Sequence, residues 1–265
     1  MNLNGKTIVV TGAASGIGLA LLQALCAFDV RILAADRDEA ALHQAIASLP
    51  APDKVQAYTG NLGSAAKVDE LFDAAETVLG HIDVFVANAG FAYYEAFNGE
   101  WAHIEALYAV NVFSPLNALH HMQKRYPLRP FTFVITASSM AHLGLAGYAL
   151  YGSTKAALDR FADAFRLEAP PSAHLMLVYP ISTRSKFFDN DGNRAPVPWP
   201  TQSTETVAAA IVRGLEKDQK SVNPSRLFST MRFLNRFVPV LRPYQQRSRR
   251  VFRKWRDRQS GEAHS

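Results

Sequence analysis

A single cysteine, Cys26, stands among 265 residues. That excludes an intramolecular disulfide framework and a cysteine-rich zinc module, and it suits a reducing compartment. No apolar run reaches the roughly 18 residues of a membrane-spanning helix. The opening Met1-Asn2-Leu3-Asn4-Gly5-Lys6 runs straight into a strand pattern with no apolar signal segment, so a cytoplasmic setting is expected. His81, His120, His121 and His174 have no metal-ligand spacing, and no catalytic metal is expected. Charged residues make up only 19% of the chain and hydrophobic ones 48%. This excludes global disorder and supplies a sizeable core. Fixed-period repeats and low-complexity linkers are absent before residue 226, so residues 1–225 read as one domain.

What charge there is lies unevenly. Residues 226–265 carry 11 Lys and Arg against 2 Asp and Glu, a net of +9; the rest carries 17 against 21, a net of −4. A mildly acidic body therefore bears a basic C-terminal extension, 226–265, which is expected to be helical. In the body, short apolar runs alternate with helical spacing. Strands are expected at Thr7–Val10, Val30–Ala35, Val55–Tyr58, Ile82–Ala87, Phe131–Thr136 and His174–Tyr179. Helices are expected at 17–28, 38–49, 64–79 (with Ser64 as N-cap), 100–125 and 148–168. Buried strands alternating with helices imply a parallel sheet covered on both faces, an α/β fold. Residues 183–203, with Asp189 to Asn193 and three prolines, break the rhythm; a loop this long in a compact domain is usually functional.

The first strand ends in Thr11-Gly12-Ala13-Ala14-Ser15-Gly16-Ile17-Gly18. Glycines here permit a tight turn and let backbone approach a pyrophosphate, while the following helix presents its N-terminal N–H groups. Asp36 closes the second strand, where a carboxylate accepts from ribose hydroxyls and repels a 2′-phosphate. NAD is the cofactor expected on that ground. Arg37, next to it, could meet a 2′-phosphate, which keeps NADP as the alternative. Tyr151-Gly152-Ser153-Thr154-Lys155 places a phenol and an ammonium on one helix face. The ammonium is expected to lower the phenol's pKa and ready it for proton transfer near neutrality. Ser138 lies 13 residues earlier, at a strand end, where open α/β sheets bind ligands.

Taken together, the Thr11–Gly18 loop, Asn88-Ala89-Gly90, Asn111, Ser138 and Tyr151-x-x-x-Lys155 resemble the short-chain dehydrogenase/reductase family over residues 3–225. The resemblance implies a single-domain Rossmann-type, doubly wound parallel sheet. It also implies an NAD(P)-dependent oxidoreductase interconverting an alcohol and a carbonyl compound, working as a homo-oligomer through its long helices. Tyr151 would be the general acid/base, Ser138 would bind the substrate oxygen, and Lys155 would hold the nicotinamide ribose. Asn111 would hold a water joining Lys155 to solvent. The implied cofactor contacts are Gly12, Ser15, Gly16, Ile17, Gly18, Asp36, Arg37, Asn61, Leu62, Asn88, Ala89, Gly90, Tyr151, Lys155, Pro180, Ile181, Thr183 and Ser185. Three positions depart from the family pattern. Asn61 stands where an Asp contacts adenine, Ile181 where a Gly follows Pro180, and Ser185 where a Thr meets the carboxamide.

The segments 91–94, 140–145 and 187–188 are apolar and aromatic, which favours a lipophilic alcohol or carbonyl substrate. Cys26 reads as packing, and His142 as a partly exposed loop residue. Residues 226–258 mix Phe, Leu and Trp with Arg, as suits peripheral contact with an anionic membrane surface. A partner groove, a lid helix over the substrate site and a solvated extension are the alternatives; no nucleic-acid partner is expected. A non-catalytic dinucleotide-binding regulator is the second functional reading, but it leaves Ser138, Tyr151, Lys155 and Asn111 without a task.

Overall fold

The computed structural model describes residues 1–184, 187 and 195–262. Seven strands form one sheet: β1 (Lys6–Thr11), β2 (Val30–Asp36), β3 (Val55–Thr59), β4 (Val84–Ala87), β5 (Phe131–Thr136), β6 (Ala173–Val178) and β7 (Ser221–Val222). Their order is β3-β2-β1-β4-β5-β6-β7, and every pair is parallel. The strand alternation sorts the core into two layers. Ile8, Val10, Ile32, Val86, Val134 and Met176 face one layer; Val9, Leu33, Phe85, Phe133, Ile135 and Leu177 face the other. On the second face Phe72, Phe85 and Phe133 stack in a row, with centroids 5.3 and 5.1 Å apart.

The helices are α1 (Gly16–Leu25), α2 (Glu39–Ala47), α3 (Ala65–Leu79), α4 (Trp101–Tyr108), α5 (Ser114–Arg125), α6 (Ala149–Glu168), α7 (Thr204–Glu216), α8 (Arg226–Leu234) and α9 (Arg242–Glu262). Side-chain caps fix several starts: Asp38 accepts from Ala41 N at 3.0 Å, and Ser64 from Lys67 N at 3.4 Å. Each cap satisfies an otherwise orphaned N–H.

Three differences from the sequence reading have physical causes. The single helix expected over 100–125 is interrupted by a π-helical turn at Ala109–Phe113. Pro115 has no N–H to close the helical bond onto the Asn111 carbonyl, and its ring crowds that carbonyl. Helix α7 and strand β7 were not anticipated. Ser203, accepting from Thr206 N at 3.2 Å, and the buried stripe Val207, Ile211, Leu215 are the signals that mark α7; two-residue β7 is too short for any periodicity. The basic extension is helical, as expected, and the difference lies in its placement: it folds back on the body. Phe228 and Leu241 are 8% and 5% exposed, in a cluster with Leu143, Leu145 and Tyr148. Cys26 is buried at the end of α1, as packing requires. No helix among the described residues is long and apolar enough to cross a membrane.

Candidate active site

Strand order reverses between β1 and β4, so the connections from their C-terminal ends diverge and leave a crevice. A cleft of about 310 Å³ occupies it. Gly12 and Gly16 at its floor have φ of +65° and +57°, a region that side chains resist. A Cβ on Gly12 would meet the Ala89 backbone at 2.8 Å, and one on Gly18 would strike the Gly12 carbonyl oxygen. Ser15 begins α1 without a side-chain bond to the helix, so N–H groups of the first turn stay available toward the cleft. Asn88 ties the floor together. Its amide donates to the Thr11 and Gly12 carbonyls at 3.1 and 3.2 Å and accepts from Thr136 Oγ1 at 3.1 Å.

Most of the expected contacts line this cleft: Gly12, Ser15, Gly16, Ile17, Asp36, Arg37, Asn61, Leu62, Asn88, Ala89, Gly90, Pro180, Ile181 and Thr183, with Ser138, Tyr151 and Lys155. Two do not. Gly18 packs behind the loop against Gly12, and Asn111 is buried at the π turn. Ser185 lies outside the described residues, as do Phe188 and Asp189 to Asn193; Phe187 sets its ring on that of Tyr151, centroids 5.6 Å apart. The sequence reading missed Gly60, Val110, Thr136 and Ser182, which also line the cleft. Their positions at strand ends and beside Asn61, Asn111 and Ile181 are the signal that locates them.

Asp36 is already engaged. Its carboxylate accepts from Ala14 N at 2.9 Å and from the N–H groups of Arg37 and Asp38 at 2.8 and 3.2 Å. With roughly four acceptor sites, it keeps capacity for a ribose hydroxyl while bracing the glycine loop. Asn61 spends part of its amide oxygen on Gly63 N, at 3.1 Å.

At the other end Lys155, fully buried, donates to the Thr136 carbonyl at 2.9 Å and lies 5.6 Å from the centre of the Tyr151 ring. Burial pulls its pKa down to about 8. Burial also pushes the Tyr151 phenol up to about 12, opposed by a hydrogen bond with Ser138. In this dry corner the loss of hydration is the largest influence on the phenol. Ser138 Oγ also accepts from Met140 N at 3.1 Å. Asn111 donates to Phe91 O at 2.9 Å and Thr154 Oγ1 at 3.2 Å, and accepts from Phe91 N. Its side chain anchors the turn. A Cβ on Gly90 would sit 3.0 Å from Asn111 Oδ1 and 3.6 Å from Lys155 Nζ, so Gly90 keeps that junction open. His142 is half-buried, with Nδ1 3.7 Å from Asp159, and burial lowers its pKa. No group of three or more His, Cys, Asp or Glu able to hold a metal occurs among the described residues.

Residues 6–194 match the family model described as short chain dehydrogenase. The chain is 27% identical over 219 residues to the 2,3-dihydro-2,3-dihydroxybenzoate dehydrogenase of Bacillus subtilis, covering 80% of this chain and 79% of that protein. It is 27% identical over 214 residues to the 3-dehydrosphinganine reductase of Danio rerio, covering 74% of this chain and 62% of that protein; the chain thus spans about three-fifths of that relative's length. A solved short-chain dehydrogenase/reductase from Burkholderia phymatum, in complex with NAD, shares the fold with TM-score 0.80 at 18% identity, over 89% of this chain and 94% of that one. With a family match running from β1 past β6, this chain belongs to the short-chain dehydrogenase/reductase family and is an oxidoreductase acting on CH–OH groups.

Proposed function

We propose that the chain is an NAD-preferring dehydrogenase/reductase for a lipophilic alcohol or carbonyl compound, with Tyr151 as its general acid/base. One observation carries the reading: Ser138, Tyr151 and Lys155 converge at the end of β5, in the same cleft whose floor is the Gly12–Gly16 turn. That floor fits a dinucleotide, because any Cβ on Gly12 would fill the space next to Ala89. Gly12, Ser15, Gly16 and Ile17 would hold the pyrophosphate, Asp36 the adenosine ribose, and Asn88, Ala89 and Gly90 the middle of the molecule. Pro180, Ile181, Thr183 and Ser185 would border the nicotinamide. A bound nicotinamide ring supplies the hydride donor or acceptor.

The chain's own groups handle the proton. Ser138 would hydrogen-bond the substrate oxygen as negative charge develops on it. At neutral pH the phenol of Tyr151 is protonated, the form that gives its proton to a carbonyl oxygen being reduced. Oxidation needs the phenolate, so it gains as pH rises. Lys155 would hold the cofactor ribose, and the Asn111 carbonyl, which the Pro115 nitrogen cannot bond, would hold a water that carries protons from Lys155 to solvent.

The carboxylate of Asp36 supports NAD over NADP, against the neighbouring Arg37. The test is titration with NADH and NADPH of the wild type beside Asp36→Ala. Tighter NADH binding, relaxed in the variant, is expected; tighter NADPH binding overturns the preference and transfers the role to Arg37. Exposed Trp101 and Phe113, 71% and 59% exposed on α4 and the turn before α5, support a homo-oligomer, checked by light scattering. The net +9 of residues 226–265, with Phe233, Phe237 and Val238 more than half exposed, supports peripheral contact with an anionic membrane surface.

A further inference from the structure

A second, smaller cavity of about 40 Å³ adjoins the reaction cleft. Met140, Ile181 and Ser182 line both, and the Met140 N–H is bonded to the Ser138 hydroxyl, so the two spaces meet beside the reacting groups. The inner wall is Leu143 and Leu145, in the segment leading to α6. The outer wall is Phe228 and Met231 of α8, with Leu241 and Tyr244. That outer wall lies wholly beyond residues 6–194, the part of the chain that matches the family.

The wall is fixed in place. Ala146 N donates to Ser248 Oγ at 3.0 Å, and Gln245 Nε2 to the Gly144 carbonyl at 3.3 Å. Tyr94 packs on Trp255, ring centres 4.8 Å apart. α9 is thereby tied to the loop that feeds the catalytic helix. Among the described residues no charged side chain lines the cavity, so a carboxylated or phosphorylated group would find no ionic partner on these walls and would enter at a high cost. At roughly 10–15 Å³ per water-sized group, the space holds about three such groups in its resting form. That suits a short aliphatic chain and is too small for a fused ring system.

We propose that this cavity is the subsite for the aliphatic tail of the substrate, and that the C-terminal extension sets its length. The proposal rests on the reading that the substrate oxygen sits at Ser138 and Tyr151. The substrate class is then an alkyl ketone, or the matching secondary alcohol, with an uncharged chain of a few carbons beyond the reacting carbon.

The experiment measures binding of methyl ketones from 2-butanone to 2-decanone to the enzyme loaded with oxidised cofactor, which cannot reduce them. Affinity is expected to rise roughly fourfold per methylene until the cavity is filled, after about three or four, and then level off. Met231→Trp should abolish the rise, whereas Met231→Ala should carry it to longer chains. Melting temperatures identify any variant that fails to fold, and Met231 offers changes in both directions. The same length dependence in all three proteins, no length dependence in the wild type, or no binding of any ketone overturns the subsite. The same series with reduced cofactor separates the two ideas. Turnover without length dependence keeps the reductase and loses the subsite; length-dependent binding without turnover does the reverse.

Discussion

The two sides of the cleft are built from different materials. The cofactor side is backbone: Gly12 and Gly16 at positive φ, the N-terminal turn of α1, and Asn88 holding three strand ends in register. The proposed substrate side, with the small cavity that adjoins the cleft, is side chains: Met140, Leu143, Phe228, Met231 and Leu241, partly from helices outside the family match. A dinucleotide presents the same pyrophosphate everywhere, and backbone N–H groups in a fixed turn meet it without side-chain entropy. Apolar side chains are exchangeable at a cost of about a kcal/mol when volume is kept. Specificity is therefore free to change on one side while binding of the cofactor persists on the other.

The sharpest test of that division removes the proton without touching either wall. Tyr151→Phe deletes one oxygen. General acid/base catalysis is worth roughly 10²–10⁴-fold, so kcat should fall by that factor while the NADH dissociation constant holds within about threefold. A parallel loss of cofactor binding would mean that Tyr151 is part of the cofactor wall.

Next in size is Lys155, buried where the two sides meet. Its folded pKa, about 8, lies below the ordinary Lys value, so between pH 8 and about 10.5 the unfolded chain binds more protons than the folded one. Stability then rises with pH across that window, by on the order of 3 kcal/mol if the shift acts alone. Tyr151 has the opposite sign. Raised to about 12, it costs stability from pH 10 upward. Urea unfolding at pH 8, 9 and 10 should show the rise in wild type and not in Lys155→Met. An unchanged slope in the variant would assign the rise to another group.

Gly12→Ala tests the backbone wall. The left-handed conformation costs a Cβ-bearing residue about 1–2 kcal/mol, before the contact with Ala89 at 2.8 Å. NADH affinity should drop at least tenfold in calorimetry, with the ketone chain-length preference intact. A changed chain-length preference would show that the walls are coupled.

The same contrast explains what could be read from residues alone. Buried parallel strands write themselves as Val, Ile and Phe runs: Phe131–Thr136 is observed with the expected bounds, and β1 and β2 extend theirs by a residue or two. Glycine at positive φ and the Tyr151–Lys155 spacing are equally local. Three things were not local. The π turn at Asn111 depends on Pro115, four residues on, inside what otherwise reads as one helix. The raised phenol of Tyr151 depends on how completely the fold dries it. The pocket behind Met140 depends on α8 and α9 returning some 80 to 100 residues later in the chain, and their amphipathic spacing does not say onto what they fold.

The smallest effect on stability belongs to the exposed end of the substrate side. Phe233 and Phe237 touch each other, ring centres 5.7 Å apart, and are 58% and 75% exposed. Phe233→Ser with Phe237→Ser removes little buried contact, so unfolding should shift by no more than about 0.5 kcal/mol. Contact with a bilayer is different, because each ring inserted into the interface is worth on the order of 1.5–3 kcal/mol when fully buried. Co-sedimentation with vesicles containing phosphatidylglycerol should fall at least tenfold in the double variant. Vesicles of phosphatidylcholine alone should bind the wild type weakly, because the arginines of α8 and α9 then lack anionic partners, and raised salt should weaken binding to the anionic vesicles. Equal binding by wild type and variant would reduce the apolar ridge to a solvated surface and leave the Arg residues as the whole of the attraction.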